Sequence, residues 1–394
     1  MRSIYSTIFG CAILFFAGAD IARSGELFIE YSSYLGGNAS EGTFDYVYTY
    51  GGIAVDSKHC AYVAGTTQSY NFPTRNAYQG ALCGQSDAFI AKVSSSGSIL
   101  AYSTHFGGSN SDRGCRIAID STGCTYIVGL TRSSDYPTLN PYQSSISGPS
   151  DLFLAKIVSS GSSLAYSTYV GGDDGSYGVE YPYNIALDTS NRAYITGKVG
   201  STAFPTHNSY HPSYGGASYM YEDAFVMCVG SSGSHLVYST YLGGMGREEG
   251  RGIAVDAQNF AYVVGLTNSY DFPTLNAYQV AMNDDIRYQG FVTKFAPSGS
   301  AIEYSTFIGG SDFDFAYGIA VDSDNHAYIA GHTVSTDYPT CNAYQPSSGY
   351  WSGSPYDDCF VSKLSSSGSS LRYSTYLGGS YYDAAFDIIV DGEK

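Results

Sequence analysis

The side chains best suited to chemistry in this chain are carboxylates, and they recur in one place. Just after a Gly-Gly pair the sequence carries Glu41 and Asp45, Asp112, Asp173 and Asp174, Glu248 and Glu249, Asp312 and Asp314, and Asp383. Gathered around one opening, such acids would focus negative potential there. They would also supply oxygen donors to a hard cation such as Ca²⁺, which takes six to eight of them. The metal-ligand expectation therefore falls on Asp112, Asp173, Asp174, Glu248, Glu249, Asp312, Asp314 and Asp383, with Ca²⁺ as the cation. Close pairs such as Asp173/Asp174 or Asp312/Asp314 would suit acid–base work on a glycosidic bond. The competing reading is structural, with each acid capping the turn that follows its own Gly-Gly.

Other chemistry is sparse. No Gly-x-Ser-x-Gly elbow, HExxH helix or P-loop occurs. The histidines, His59, His105, His207, His211, His235, His326 and His332, share no common spacing. Asp322-Ser-Asp324-Asn325 resembles half a calcium loop but lacks the downstream Gly and Glu, so it reads as a turn. No catalytic or cofactor-binding residues are assigned, and the balance points away from an enzyme.

These acids must be positioned by a repeat. Tyr-Ser-x-x-x-Gly-Gly begins at Tyr31, Tyr102, Tyr166, Tyr238, Tyr304 and Tyr373, at intervals of 64 to 72 residues. In the same phase run an Ile-Ala-hydrophobic-Asp strand ending at Asp56, Asp120, Asp188, Asp256 and Asp322, and an aromatic strand at Tyr62, Tyr126, Tyr194, Tyr262 and Tyr328. Phe/Tyr-Pro-Thr at Pro73, Pro137, Pro205, Pro273 and Pro339 and a Gly turn at Gly97, Gly161, Gly233, Gly299 and Gly368 complete the pattern. In the second unit the expected strands are 115–120, 125–130, 152–157 and 164–170, joined first and last by tight hairpins. The Asp opening the first hairpin is placed to accept the amides of its own turn. Four-stranded antiparallel sheets repeated in this way describe an all-β propeller, since solenoid units are commonly shorter, about 20–45 residues.

The assembled motif Gly-Ile-Ala-Val-Asp, Ala-Tyr-Val-x-Gly-x-Thr, Phe-Pro-Thr, Asp-Ala-Phe-Val-x-Lys and Ser-Gly-Ser-x-Leu-x-Tyr-Ser-Thr-Tyr-Leu-Gly-Gly resembles the SBBP repeat, a family named for seven-bladed β-propellers. The likeness extends over residues 27–391. It implies an exported or cell-surface protein and carries no catalytic residues to transfer. Five complete blades are expected, at about 51–108, 115–172, 183–244, 251–310 and 317–379. An incomplete sixth would be made from 27–37 and 384–391, the latter supplying an inner strand; the alternative is a fragment of a seven-bladed propeller. An unfinished blade leaves an edge open to self-association.

Within each blade the first and third connections are short and monotonous, while the others are long and variable. Loops on a rigid scaffold are where binding residues concentrate. Each long loop carries Pro-Thr-x-Asn-x-Tyr (Asn76 and Tyr78, Asn140 and Tyr142, Asn208 and Tyr210, Asn276 and Tyr278, Asn342 and Tyr344), read as a loop anchor rather than a ligand contact.

The N-terminus, Met1-Arg2 followed by the apolar 8–18 and Ala17-Gly18-Ala19, reads as a signal peptide over residues 1–19. Its removal takes the net charge from −17 to −18. Such acidity disfavours nucleic acid and anionic membrane surfaces, and no mature segment is apolar enough to insert. The remaining cysteines make Cys341–Cys359 and Cys83–Cys115 the candidate disulfides. The expectation is a secreted or cell-surface scaffold binding an extracellular protein or polysaccharide through its long-loop face. A carbohydrate-active hydrolase or lyase using the same acids is the alternative, and a purely structural module of a larger surface protein is a third.

Overall fold

The computed structural model describes residues 8–9, 12–15, 31–42, 51–173, 180–216, 221–283, 287–349 and 357–391. The chain divides into two compact units, Met1–Gly171 with Ser232–His235, and Gly172–Ser231 with Leu236–Lys394. Among the described residues there is no helix, and five four-stranded antiparallel sheets follow one another, each a meander in chain order and each the blade of a β-propeller.

The first unit opens with β1 (Ile8–Phe9), β2 (Ala12–Phe15) and β3 (Tyr31–Tyr34), a small antiparallel sheet. Its first full sheet is β4 (Gly52–Val55), β5 (Ala61–Thr67), β6 (Asp87–Val93) and β7 (Leu100–Phe106). The second is β8 (Asp112–Ile119), β9 (Thr125–Thr131), β10 (Asp151–Ile157) and β11 (Leu164–Val170). The other unit holds three sheets. They are β12 (Glu180–Leu187), β13 (Ala193–Val199), β14 (Asp223–Val229) and β15 (Leu236–Leu242); β16 (Glu248–Val255), β17 (Ala261–Thr267), β18 (Gln289–Phe295) and β19 (Ile302–Ile308); and β20 (Asp314–Val321), β21 (Ala327–Thr333), β22 (Asp358–Leu364) and β23 (Leu371–Leu377).

The hairpin joining the first two strands of each sheet is tied by the Asp that ends the first. Asp120 Oδ1 accepts the amides of Thr122 and Cys124, both at 3.0 Å, while Gly123 takes φ +81°. Its Oδ2 accepts the Tyr126 hydroxyl and pairs with Lys156 Nζ at 3.0 Å, and the ammonium lies 4.7 Å from the Tyr126 ring centre. Asp56–Tyr62–Lys92, Asp256–Tyr262–Lys294 and Asp322–Tyr328–Lys363 repeat this arrangement. In the sheet that begins with β12, Cys228 stands at the lysine position and Arg192 supplies the cation, 2.5 Å from Asp188. A buried tyrosine hydroxyl and a half-buried lysine thereby satisfy one another and the turn.

Sheets pack through a tyrosine near the start of each outer strand. Tyr102 lies over the bare Cα of Gly161, Tyr238 over Gly299 and Tyr304 over Gly368. Tyr31 of β3 meets Gly97 in the same way, so β3 occupies the outer-strand position ahead of the first full sheet. β1 and β2 fall within the segment expected as a leader; removal at Ala19 would leave β3 without them. At the other end, the inner strand expected over 386–391 forms no ladder. That stretch passes without regular secondary structure beside Gly318 of β20, where the Asp387 backbone lies, with Phe386 5.3 Å from Tyr317, and no described strand follows to pair with it.

Neither expected disulfide is present; all seven described cysteines are free. Cys341 lies opposite Ser374 and Cys359 opposite Leu377. The offset of three residues along β23 is already about 10 Å, and β23 lies between them, so they are well beyond the roughly 7 Å a disulfide spans. Cys83 is exposed on a long loop, whereas Cys115 is buried on β8, where burial pushes its thiol up to about 12. Alkylation of the native chain is expected to label Cys83 and to reach Cys115 and Cys228 only after unfolding. Peptide maps with and without reductant should coincide; a reductant-dependent peptide joining Cys341 to Cys359 would contradict the fold.

Candidate functional site

The acids expected to ring a cation are instead drawn into their own turns. The amide of the second glycine donates to a carboxylate in every repeat: Gly37 to Glu41 (3.0 Å), Gly108 to Asp112 (2.7 Å), Gly172 to Glu180 (3.1 Å), Gly244 to Glu248 (3.0 Å), Gly310 to Asp314 (2.8 Å) and Gly379 to Asp383 (2.8 Å). Hydroxyls from the neighbouring strand and its exit complete the latch, as Ser133 does for Asp112 (2.8 Å), Thr267 for Glu248 (2.6 Å) and Ser335 for Asp314 (3.1 Å). In the third repeat the latch is Glu180 and not Asp173, which lies in the preceding loop; Asp174 and Asp45 fall outside the described residues. Asp312 pairs with Arg287, and Glu249 belongs to a different cluster. Among the described residues no three His, Cys, Asp or Glu side chains converge to hold an ion.

A second family of buried acids was not expected from the sequence. Asp87, Asp223 and Asp358 begin the third strands and hold the long loops, accepting the amides of Cys83 (3.0 Å), Gly215 (2.8 Å) and Gly349 (2.6 Å). Two of them meet a latch acid across a glycine that leaves no room for a Cβ. Asp87 faces Asp112 beside Gly107, and Asp223 faces Glu248 beside Gly243. Burial raises these carboxyls, Asp87 to about 6, Glu248 to about 7 and Asp223 to about 8. Such values resemble those of catalytic acids, but all four side chains are sealed from solvent and reach no substrate. The signal was the Asp recurring at the head of Asp-Ala-Phe and Asp-Leu-Phe.

Function is better sought where the repeat breaks its own rule. The second and fourth residues of the inner strands differ from sheet to sheet: Arg113 and Cys115, Tyr181 and Tyr183, Glu249 and Arg251, Phe315 and Tyr317. The fourth in each set sits at a register shift of its ladder. Bulges re-aim a side chain and are frequent beside functional sites. These positions lie at the strand end where the long connections emerge.

In the unit of three sheets they assemble into one site. Phe313, just ahead of β20, and Phe315 and Tyr317 within it occupy alternate positions, with ring centres 6.1 and 6.3 Å apart and planes within 8° of parallel. Arg287 lies 5.5 Å from the Phe313 ring at one end of this row. At the other end Arg251 sits between rings, 4.3 Å from Tyr183 and 5.6 Å from Tyr317. Arg251 also pairs with Glu249, which is 3% exposed and receives Arg247 Nη2 at 2.8 Å and Lys198 Nζ at 3.4 Å. Arg247 and Lys198 reach on to Glu222, both at 2.9 Å. His332 closes the far side edge-on to Phe315 (4.8 Å) and Tyr317 (5.3 Å); burial lowers it to about 4, so it is uncharged at neutral pH. Apart from Glu249, none of these residues stood out in sequence.

The first unit contains a cleft of about 500 Å³ between the short hairpins of its two four-stranded sheets, lined by Asp56, Lys58, Lys92, Asp120 and Thr122. Asp56 with Lys92, and Asp120, already serve the hairpin networks.

In the Asn-x-Tyr elements of the long loops the Asn acts as the expected anchor, whereas the Tyr is not always packed, Tyr344 being 87% exposed. Asn76, Asn276 and Asn342 adopt φ of +46° to +48° and donate from Nδ2 to the carbonyls of Ala101, Glu303 and Arg372. Tyr210 meets Phe295 of the next sheet at 6.3 Å.

A family model described as a beta-propeller repeat, SBBP, matches residues 237–273 and 303–339. The chain carries SBBP repeats. Each matched span runs from an outer strand through the latch acid and the bulge of the next inner strand, so Arg251 and Tyr317 lie within SBBP repeats. No curated protein matches this SBBP-repeat chain. Among solved structures, it is similar to a protein of unknown function from Dyadobacter fermentans (11% identity, TM-score 0.42, covering 88% of this chain and 86% of that one). It is also similar to a mutant apocarotenoid oxygenase from Synechocystis (8%, TM-score 0.46, 97% and 72%). A third is a gluconolactonase from Xanthomonas campestris (10%, TM-score 0.37, 83% and 77%). At these identities none of their activities passes to the SBBP-repeat chain.

Proposed function

We propose that this SBBP-repeat protein is a secreted or cell-surface scaffold that binds polysaccharide without turning it over. The observation that carries the reading is the row Phe313–Phe315–Tyr317, three near-parallel rings flanked by arginines at the long-loop end of the inner strands. Flat apolar rings beside multidentate polar groups suit a sugar chain, which offers apolar faces and a rim of hydroxyls. Export fits the apolar 8–18 and Ala17-Gly18-Ala19 at the N-terminus. The most reactive-looking acids are buried latches, which favours binding over hydrolysis.

Phe313 is the row's exposed end, at 36%, so Phe313→Ala is expected to leave the fold intact. It should weaken retention in polysaccharide-containing native gels by about tenfold, the equivalent of ~1.4 kcal/mol. A panel of plant, algal and bacterial polymers, with and without Ca²⁺, supplies the ligands. A folded chain that retards on none of them, or a variant that retards as well as the parent, would sink the reading.

A further inference from the structure

We infer that the cleft of the first unit is a second binding site, for a small hydroxylated carboxylic acid. It is independent of the aromatic row and lies at the strand ends where the short hairpins turn. The cleft exists because the repeat omits a side chain there. In the first hairpin of the fifth sheet, Asn325 Nδ2 donates to Gln258 Oε1 of the fourth sheet at 3.3 Å, bridging the two hairpins. In the first unit Gly123 stands where Asn325 does, and Lys58 where Gln258 does. A Cβ on Gly123 would lie 3.3 Å from Tyr62 Oη and 3.5 Å from Ser159 Cβ. A side chain at 123 would therefore enter the space between the first and second sheets. Left open, that space measures about 500 Å³, within the roughly 300–1,000 Å³ of ligand pockets.

The charged groups of the cleft differ in what they have left to give. Asp56 Oδ1 accepts the amides of Lys58 and Cys60, and its Oδ2 takes the Tyr62 hydroxyl and Lys92 Nζ. Asp120 is filled in the same way by its own turn, by Tyr126 and by Lys156. Each acid is thus balanced by a lysine of its own sheet. Lys58 is left over: it is exposed at the cleft, and its ammonium has no partner among the described residues. A compact ammonium with three donors balances one negative charge. The hydroxyls of Ser57, Ser121 and Ser159 line the same cleft without partners among the described residues, and each can donate or accept. Val55 and Ile119 supply the apolar part of the lining. One carboxylate, several hydroxyls and a carbon face match that set, and a sugar acid carries all three.

The test uses the full chain with glucuronate, with glucose as its neutral counterpart and acetate as a carboxylate without hydroxyls. Titration calorimetry is expected to show glucuronate binding that weakens as NaCl rises. Glucose and acetate should each bind at least about fivefold less tightly, the worth of a partly exposed ion pair. Gly123→Asn supplies the residue of the matching turns, where Asn191, Asn259 and Asn325 hold φ of +63° to +69°. The variant should therefore fold as the parent does, which melting curves check. Glucuronate binding should be lost in it, while retention in polysaccharide gels stays unchanged. Lys58→Gln, which places the fourth sheet's residue in the first, should lower glucuronate affinity about fivefold, to the level of glucose. Glucuronate held as tightly by either variant as by the parent would place the acid elsewhere and overturn the assignment. No binding to the parent, or equal affinity for all three compounds, would overturn it too. None of these results bears on the aromatic row, which Phe313→Ala tests by itself.

Discussion

Replacing Gly299 by alanine is expected to destabilise the chain by roughly 2–5 kcal/mol, the largest loss from deleting nothing and adding one methyl group. Gly299 turns the third strand of its sheet into the fourth with φ +74°. An L-residue held there pays about 1–2 kcal/mol for the left-handed backbone. The second cost is steric, because the Cβ would fall inside the ring of Tyr238, which packs flat on the glycine from the preceding sheet and is itself fully buried. Tyr238 cannot retreat, since its ring meets Tyr194 edge-on at 6.2 Å. Displacing it costs a further 1–3 kcal/mol or so, as overpacking does. Ser298→Ala, at the adjacent exposed position, is the control and should change little. Denaturant unfolding monitored by tyrosine fluorescence decides the matter; a loss below about 1 kcal/mol would mean the tyrosine-on-glycine contact does not hold neighbouring sheets together.

That contact also shows what was legible beforehand and what was not. The phase of the repeat, the five sheets and both kinds of tight hairpin follow from Asp120, Gly161 and their counterparts, because turn chemistry is local and each residue acts within a few positions of itself. The second sheet's inner strand nevertheless begins at Asp112 and not at Cys115. Its first residues pair across a bulge that period-two alternation hides. The latch acids were visible as a group beside their glycines, yet the hydroxyls that complete each latch come from the next strand and its exit, so nothing in the spacing told a buried cap from a metal ligand. Lys198 and Arg251 escaped notice for the opposite reason. Searching for what recurs finds scaffold, while the residues that distinguish one sheet from the next are those the repeat does not require. Placing Arg251 between Tyr183 and Tyr317 takes three successive inner strands, a contact over more than sixty residues on either side that no local pattern encodes.

Asp223→Asn is expected to stabilise the protein at alkaline pH, on the order of 2 kcal/mol at pH 9, and to make little difference at pH 5. Asp223 and Glu248 are fully buried, and their carboxyls crowd the same space above Gly243, where an added Cβ would lie 2.9 Å from Asp223 Oδ1. Glu248 is held as an acceptor by Gly244 N–H and the Thr267 hydroxyl. Asp223 Oδ2 takes the Gly215 amide, whereas its Oδ1 has no hydrogen-bond partner. One proton between the two carboxyls resolves the conflict, in keeping with the rise of Asp223 to about 8 and Glu248 to about 7. In the unfolded chain both titrate near 4. The folded state therefore binds protons more tightly, so the pair's contribution is complete below pH 4 and is lost as pH climbs toward 8. The fourth sheet has already made the neutral substitution: Gln289 stands where Asp223 does, and its Nε2 donates to the Gly310 carbonyl at 2.5 Å. An asparagine at 223 keeps an acceptor for Gly215, gives Oδ1's place a donor and carries no charge to bury. Melting curves of parent and variant from pH 5 to 9 should start together and diverge upward for the variant. A variant weaker by the same amount at every pH would show instead that Asp223 works as an anion, with its charge balanced by a group other than the shared proton.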